Sequence, residues 1–300
     1  MRDYIYLGLY KAFGFLLFLF PRQLTIKLMY GLAWFAYTVS KKHQNIISEN
    51  LDLAFDNSLS DKEKKQLGIE AFTNLIDTTF GIMQRDNMQK KEVIENVMFE
   101  NEEIIRSYQK ENKQFILVTG HYGNWELLSQ SIAIKFDLTL VGVGRKLDSP
   151  MMDTVLRTNR ERFNVEMVEK KGAVKSCIHV INEHKIVGIL TDQSIGKDQS
   201  VNVDFFGKET THTPLASILS RKFDLDLIPA YISTEDYKQY KVTIYPPIKV
   251  IKTENKEKDL SRLTQAQADI TEEVIRSNPK QWFWMHKRWK EYQPELYRRD

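Results

Sequence analysis

His121 and Glu126 stand five positions apart in the run Gly120-His121-Tyr122-Gly123-Asn124-Trp125-Glu126, directly after the apolar stretch Phe115-Ile116-Leu117-Val118. A short apolar stretch closed by glycine reads as a buried strand entering a tight turn. Leu127, Leu128, Ile132 and Ile134 beyond it read as one face of an amphipathic helix. Such a strand-to-helix junction sets both side chains at the mouth of a cleft. Neutral imidazole is the usual general base toward an alcohol, and a carboxylate can orient its other ring nitrogen. The pattern therefore predicts proton abstraction from a hydroxyl by His121, with Glu126 as its orienting partner.

Other strand ends add charge. Arg145, in Gly144-Arg145-Lys146, closes the second predicted strand, and Arg157 and Arg160 share one face of the helix after it, whereas Arg162 points elsewhere. Guanidinium groups beside a cleft suit a phosphate-bearing ligand; a solvated basic helix face is the alternative. Thr191-Asp192-Gln193 ends a further apolar run, again at a carboxyl edge where α/β sheets place their sites. Asp192 could pair with an arginine, orient a substrate or cap a turn.

Competing chemistries lack their residues. The six histidines are scattered, with no His-x-x-x-His or Cys/His ligand pair, so no metal is expected. There is no Gly-x-Ser-x-Gly elbow, Walker loop or Gly-x-Gly-x-x-Gly, and no cofactor is implied. Cys177 sits mid-helix among apolar neighbours without a base, which leaves direct attack by a His-activated hydroxyl as the simplest mechanism.

The elements that must position these residues alternate. Ser60-x-x-Glu63 is a capping box that starts a helix running through Leu67, Ala71, Leu75 and Phe80, and a second helix is expected over 90–109. Strands are expected over 115–119, 138–143, 186–191, 201–206, 227–232 and 242–245, and helices over 126–136, 150–163, 174–183, 214–223 and 257–277. This predicts an α/β fold, a mixed sheet flanked by helices. Residues 4–20 and 28–39 are apolar and rich in tyrosine. They predict an uncleaved membrane anchor over 1–42, spanning or re-entrant, ahead of a catalytic domain over 43–300; a buried helix pair is the alternative. A spanning helix needs roughly 20 apolar residues.

At 300 residues, 42% hydrophobic and 28% charged, the chain can bury a full core. Its net charge of +3, from 43 basic and 40 acidic residues, is too balanced for a dedicated nucleic-acid binder. A single cysteine excludes an intrachain disulfide and fits a reducing compartment. Lys287, Arg288, Lys290, Arg298 and Arg299 crowd around Trp282, Trp284 and Trp289, a composition suited either to an anionic membrane interface or to a packed aromatic cluster.

Taken in order, these segments resemble the bacterial lipid A late acyltransferase family, within the lysophospholipid and glycerolipid acyltransferase superfamily. The resemblance is carried by Glu49-Asn50-Leu51-x-x-Ala54-Phe55, the His121–Glu126 run, Gly144-Arg145, Arg160 and Asp192-Gln193. It continues through Val203-Asp204-Phe205-Phe206-Gly207, Thr213-Pro214-Leu215-Ala216 and the segment from Pro279 to Lys290. The family often carries Tyr-Arg-Pro where this chain has Gly144-Arg145-Lys146. The resemblance implies transfer of a fatty acyl chain from acyl carrier protein to a hydroxyl of a lipid A precursor, at the cytoplasmic face of the bacterial inner membrane. It implies His121 and Glu126 as catalytic, and Asn124, Arg145, Arg160 and Asp192 as substrate-binding. An acyltransferase for another lysophospholipid, aminolipid or glycolipid, and a catalytically silent lipid-binding protein, are the competing readings.

Overall fold

The computed structural model describes residues 2–250 and 252–298; Met1 of the expected anchor and Arg299 of the C-terminal basic group lie outside them. Among the described residues the strands are β1 (Val97–Glu100), β2 (Ile116–Thr119), β3 (Leu140–Gly144), β4 (Val165–Glu169), β5 (Ile186–Leu190), β6 (Val201–Phe205), β7 (Lys208–His212), β8 (Leu227–Ser233) and β9 (Tyr240–Ile244). Seven of them form one sheet in the order β1-β9-β8-β2-β5-β3-β4. Every pairing in it is parallel except β8 with β9, so the sheet is mixed, as expected. All four residues of β2 are buried, as they must be in a central strand covered on both faces.

The helices α1 (Arg2–Leu19), α2 (Arg22–Val39), α3 (Lys41–Ala54) and α4 (Asp61–Arg85) precede or flank the sheet. They are followed by α5 (Lys90–Ile94), α6 (Glu103–Lys110), α7 (Trp125–Lys135), α8 (Pro150–Glu161), α9 (Ala173–Asn182), α10 (Leu215–Phe223) and α11 (Lys256–Ser277). The capping box opens α4: Glu63 N donates to the Ser60 hydroxyl at 3.4 Å and Ser60 N donates to the Glu63 carboxylate at 2.8 Å.

Three expectations need correction. The helix expected over 90–109 is α5, β1 and α6 in succession. Residues 97–100 alternate between half-buried and exposed, as a strand does, and Asn101 then turns the chain with φ of 61°. The strand expected over 201–206 forms, but it pairs antiparallel with β7 outside the main sheet. Phe206 and Gly207, both at positive φ, make the tight turn that closes this hairpin.

Third, no helix among the described residues is long and apolar enough to cross a membrane, so the expected spanning anchor is not found. Pro21 divides the apolar stretch into two helices, and the pair folds back on the body. Leu17 and Met29 are buried with Phe80 and Tyr237, and Arg22 pairs with Asp77 at 3.1 Å. The outer faces remain apolar: Phe18 is 68% and Trp34 is 53% exposed, with Leu9, Phe15 and Phe35 also open to solvent.

Candidate active site

Strand register brings the first pair together. β2 and β5 are parallel neighbours with Thr119 opposite Leu190. His121 and Asp192 each lie two residues past that pair, at the same carboxyl edge. Asp192 is 2% exposed and receives three hydrogen bonds, each 2.8 Å long: from His121 N, from His121 Nδ1 and from Trp282 Nε1. Burial alone would raise its carboxyl, but the imidazole of His121 and these donors outweigh it and hold the group below the usual carboxylate range. A carboxylate at Nδ1 fixes the proton there, so Nε2 presents its lone pair. The amide of Gln193 approaches Nε2 at 3.5 Å, and the His121 side chain is 23% exposed. The arrangement is an oriented, partly exposed imidazole.

Glu126 is not the residue that orients His121. Its carboxylate receives Arg160 Nε at 2.9 Å and Nη2 at 2.6 Å, a bidentate pair formed between the first turn of α7 and the last turn of α8. Glu126 is taken by Arg160, and the chain just past β5 supplies the carboxylate at the ring instead. Asn124 is 2% exposed and caps α7, accepting from Leu127 N at 3.1 Å and donating to Asp77 at 2.8 Å. The structure thus gathers Asn124, Glu126, Arg160 and Asp192 about the loop. Arg145, by contrast, has a side chain 77% exposed and paired with Asp148.

The loop itself is held by a segment far along the chain. Gly123 N donates to Gln281 O at 2.8 Å and Phe283 N donates to His121 O at 2.9 Å, with Tyr122 bridged to Trp282. Gly123 sits at φ 54° with a Cβ position only 2.2 Å from the Ile232 carbonyl oxygen, so no other residue fits there without movement. Trp125 and Phe283 pack on the imidazole, with ring centres 5.2 Å and 6.0 Å away. Trp282, Trp284, Trp289 and Arg288 are at most 1% exposed; these tryptophans form a packed cluster, and the membrane-interface reading of them does not hold. Trp282 and Gln193 are site residues that sequence reasoning did not pick out as such. Trp282 stood out only by composition, and its indole could be assigned to Asp192 only with the fold in hand. Among the described residues no three His, Cys, Asp or Glu side chains group where they could hold a metal ion.

The site is a carboxylate-held imidazole at the carboxyl edge of a largely parallel sheet, with the Gln193 amide 3.5 Å from its Nε2. The family model described as bacterial lipid A biosynthesis acyltransferase matches residues 1–291, and the chain belongs to that family and is an acyltransferase. It is similar to the lipid A biosynthesis lauroyltransferase of Escherichia coli (strain K12), with 25% identity over 90% of this chain and 86% of that protein. A lipid A biosynthesis acyltransferase of Haemophilus influenzae is 23% identical over 93% of this chain and 86% of its own length. The lipid A biosynthesis palmitoleoyltransferase of Escherichia coli (strain K12) is 22% identical over 83% and 79%.

Proposed function

We propose that this acyltransferase moves a fatty acyl chain from acyl carrier protein to a hydroxyl of a lipid A precursor, at the cytoplasmic face of the bacterial inner membrane. The observation that carries the reading is the Asp192–His121 pair with Nε2 turned outward, in a chain of this family. In the reaction, Nε2 takes the proton of the acceptor hydroxyl as that oxygen attacks the thioester carbonyl carbon. Asp192 stabilises the imidazolium that forms. The tetrahedral intermediate collapses, the carbon–sulfur bond breaks, and the thiolate leaves with the proton that His121 returns. The Gln193 amide, beside Nε2, is placed to donate to the intermediate's oxyanion. The exposed apolar faces of α1 and α2 support attachment to a bilayer surface, since patches of this kind mark membrane or protein contacts.

The test is incubation of purified protein with acyl carrier protein thioester or coenzyme A thioester and a lipid A precursor, read by mass spectrometry. One acyl mass should be added from the carrier-protein donor, and His121→Ala should lose on the order of 10²–10⁴-fold in rate. Near-normal turnover by His121→Ala would refute the base assignment, and preference for coenzyme A would refute the donor. Flotation with anionic vesicles should retain the wild type, and Trp34→Glu with Phe35→Glu should release it.

A further inference from the structure

Arg85 is the last residue of α4, is only 4% exposed, and its Nε and Nη2 have no hydrogen-bond partner. It lies beside a cleft of about 380 Å³ lined by Arg22, Asp77, Gly81, Arg85, Asn124 and Lys238, among others, a size in the range of small-ligand pockets. The cleft's other charged lining residues are Arg22, Lys238, Asp77 and Glu92, and the Glu92 carboxylate accepts from Gln89 N at 2.7 Å. Arg22 is taken by Asp77 at 3.1 Å and Arg160 by Glu126 at 2.6 Å. These are the two carboxylates whose fields reach Arg85, and burial still holds its guanidinium below the ordinary arginine value. The negative end of the α4 dipole offsets part of that cost but satisfies no N–H. A buried guanidinium is costly to keep charged unless something accepts from it. Gly81 makes room for the guanidinium itself: a Cβ there would stand 2.5 Å from Arg85 Nη1.

We propose that this cleft is an anion site in which Arg85, flanked by Arg22 and Lys238, receives a phosphate group. The Nε and Nη2 N–H groups of Arg85, buried and unpartnered, match in number the paired oxygens of a phosphomonoester. The exposed Lys238 at the rim adds charge without blocking entry. Free phosphate and the phosphorylated headgroup of an amphiphile share this chemistry. The site stands independently of the acyl-transfer reading, and only its assignment to an acceptor headgroup rests on that reading.

The experiment uses the full chain in detergent at fixed ionic strength and reads thermal stability and phosphorus NMR line width against inorganic phosphate. Wild type should show a saturable rise in Tm and line broadening at millimolar phosphate, with chloride inert. Arg85→Lys should weaken binding about tenfold or more because it loses the bidentate geometry. Arg85→Met should abolish binding, and Lys238→Ala should weaken it by less. If Arg85→Met does not fold, the wild-type titration and Arg85→Lys still decide the matter. Absence of saturable binding by the wild type, or equal binding by Arg85→Lys, would overturn the site and leave Arg85 hydrated. The source is separated with a phosphorylated glycolipid and its dephosphorylated form in micelles. Tighter binding of the phosphorylated lipid, erased by Arg85→Lys, identifies a headgroup; equal binding of both, with inorganic phosphate still bound, identifies free phosphate. Neither result depends on His121 turnover.

Discussion

Asp192 and Glu126 both lie beside the loop after β2 and are 2% and 9% exposed, yet one accepts from an imidazole and an indole and the other from a guanidinium. The partner of Asp192 is an imidazole, a ring type that exchanges protons near neutral pH. Glu126 is locked to Arg160, whose guanidinium burial would discharge but the pairing keeps above its ordinary value, so that partner cannot act as a base. The first arrangement holds an imidazole at the sheet edge, and the second ties α7 to α8. Five-residue spacing pointed to Glu126 because it is close in sequence. The ring instead follows the neighbouring strand, which is close only in space.

Conservative amide substitutions should break or sharpen this contrast. Asp192→Asn keeps the shape but lets an amide fix the wrong tautomer of His121, and turnover should fall by up to about 10⁴-fold, as in a Ser-His-Asp triad. Glu126→Gln should cost about 3 kcal/mol of stability, read by denaturant titration, because it leaves Arg160 unpaired in a largely buried place. Turnover of the fraction that remains folded should drop far less. Equal kinetic losses in the two variants at full folding would erase the distinction.

Trp282→Phe tests the indole at Asp192 and should reduce kcat by about tenfold with KM little changed, from a charge-assisted hydrogen bond of ~1.5–3 kcal/mol. The lowered Asp192 carboxyl contributes stability that is present above its ordinary range and lost as pH falls through its folded value. Removing a donor raises that folded value, so acid unfolding of Trp282→Phe should begin at higher pH than in wild type.

Two histidines near Asp192 set a separate acid limit. Burial lowers His286 to about 4 and His212 to about 3, from about 6.5 in an unfolded chain. Below pH about 6.5 the unfolded state binds more protons, so stability should fall with decreasing pH by up to ~1.4 kcal/mol per unit for each, until about pH 4 for His286. His286→Gln, which can still accept from Ser194 N, should flatten the denaturant midpoint between pH 7 and 5; an unchanged slope would clear His286 of the effect. The smallest change is expected for Arg145→Ala. An exposed pair of this kind contributes ~0–1 kcal/mol, and activity should stay within about twofold.

Strand ends were legible in the sequence because β2 and β5 are short apolar runs with abrupt polar ends, and this placed His121 and Asp192 at a carboxyl edge. Strand order was not legible. Nothing in residues 186–190 says that they lie between 116–119 and 140–144 and not beside 227–233, since either place buries the same apolar side chains. β1 and β4 were missed because they are half-buried strands at the two ends of the sheet, where charged residues alternate with apolar ones as readily as on a helix. The α1–α2 pair misled for the opposite reason: its apolar content is real, but the contacts of Arg22 with Asp77 of α4 and of Tyr10 with Asp86 are tertiary facts.

The bonds from Gln281 and Phe283 to the His121 loop also order events in time. Chains are made from the amino terminus and domains fold as units, so every strand of the sheet is synthesised before the segment that braces its reactive loop. A nascent chain ending before Gln281 would carry His121 and Asp192 but neither backbone strut nor the Trp282 indole. The Asp192–His121 pair is thus fully braced only in a chain translated past Phe283.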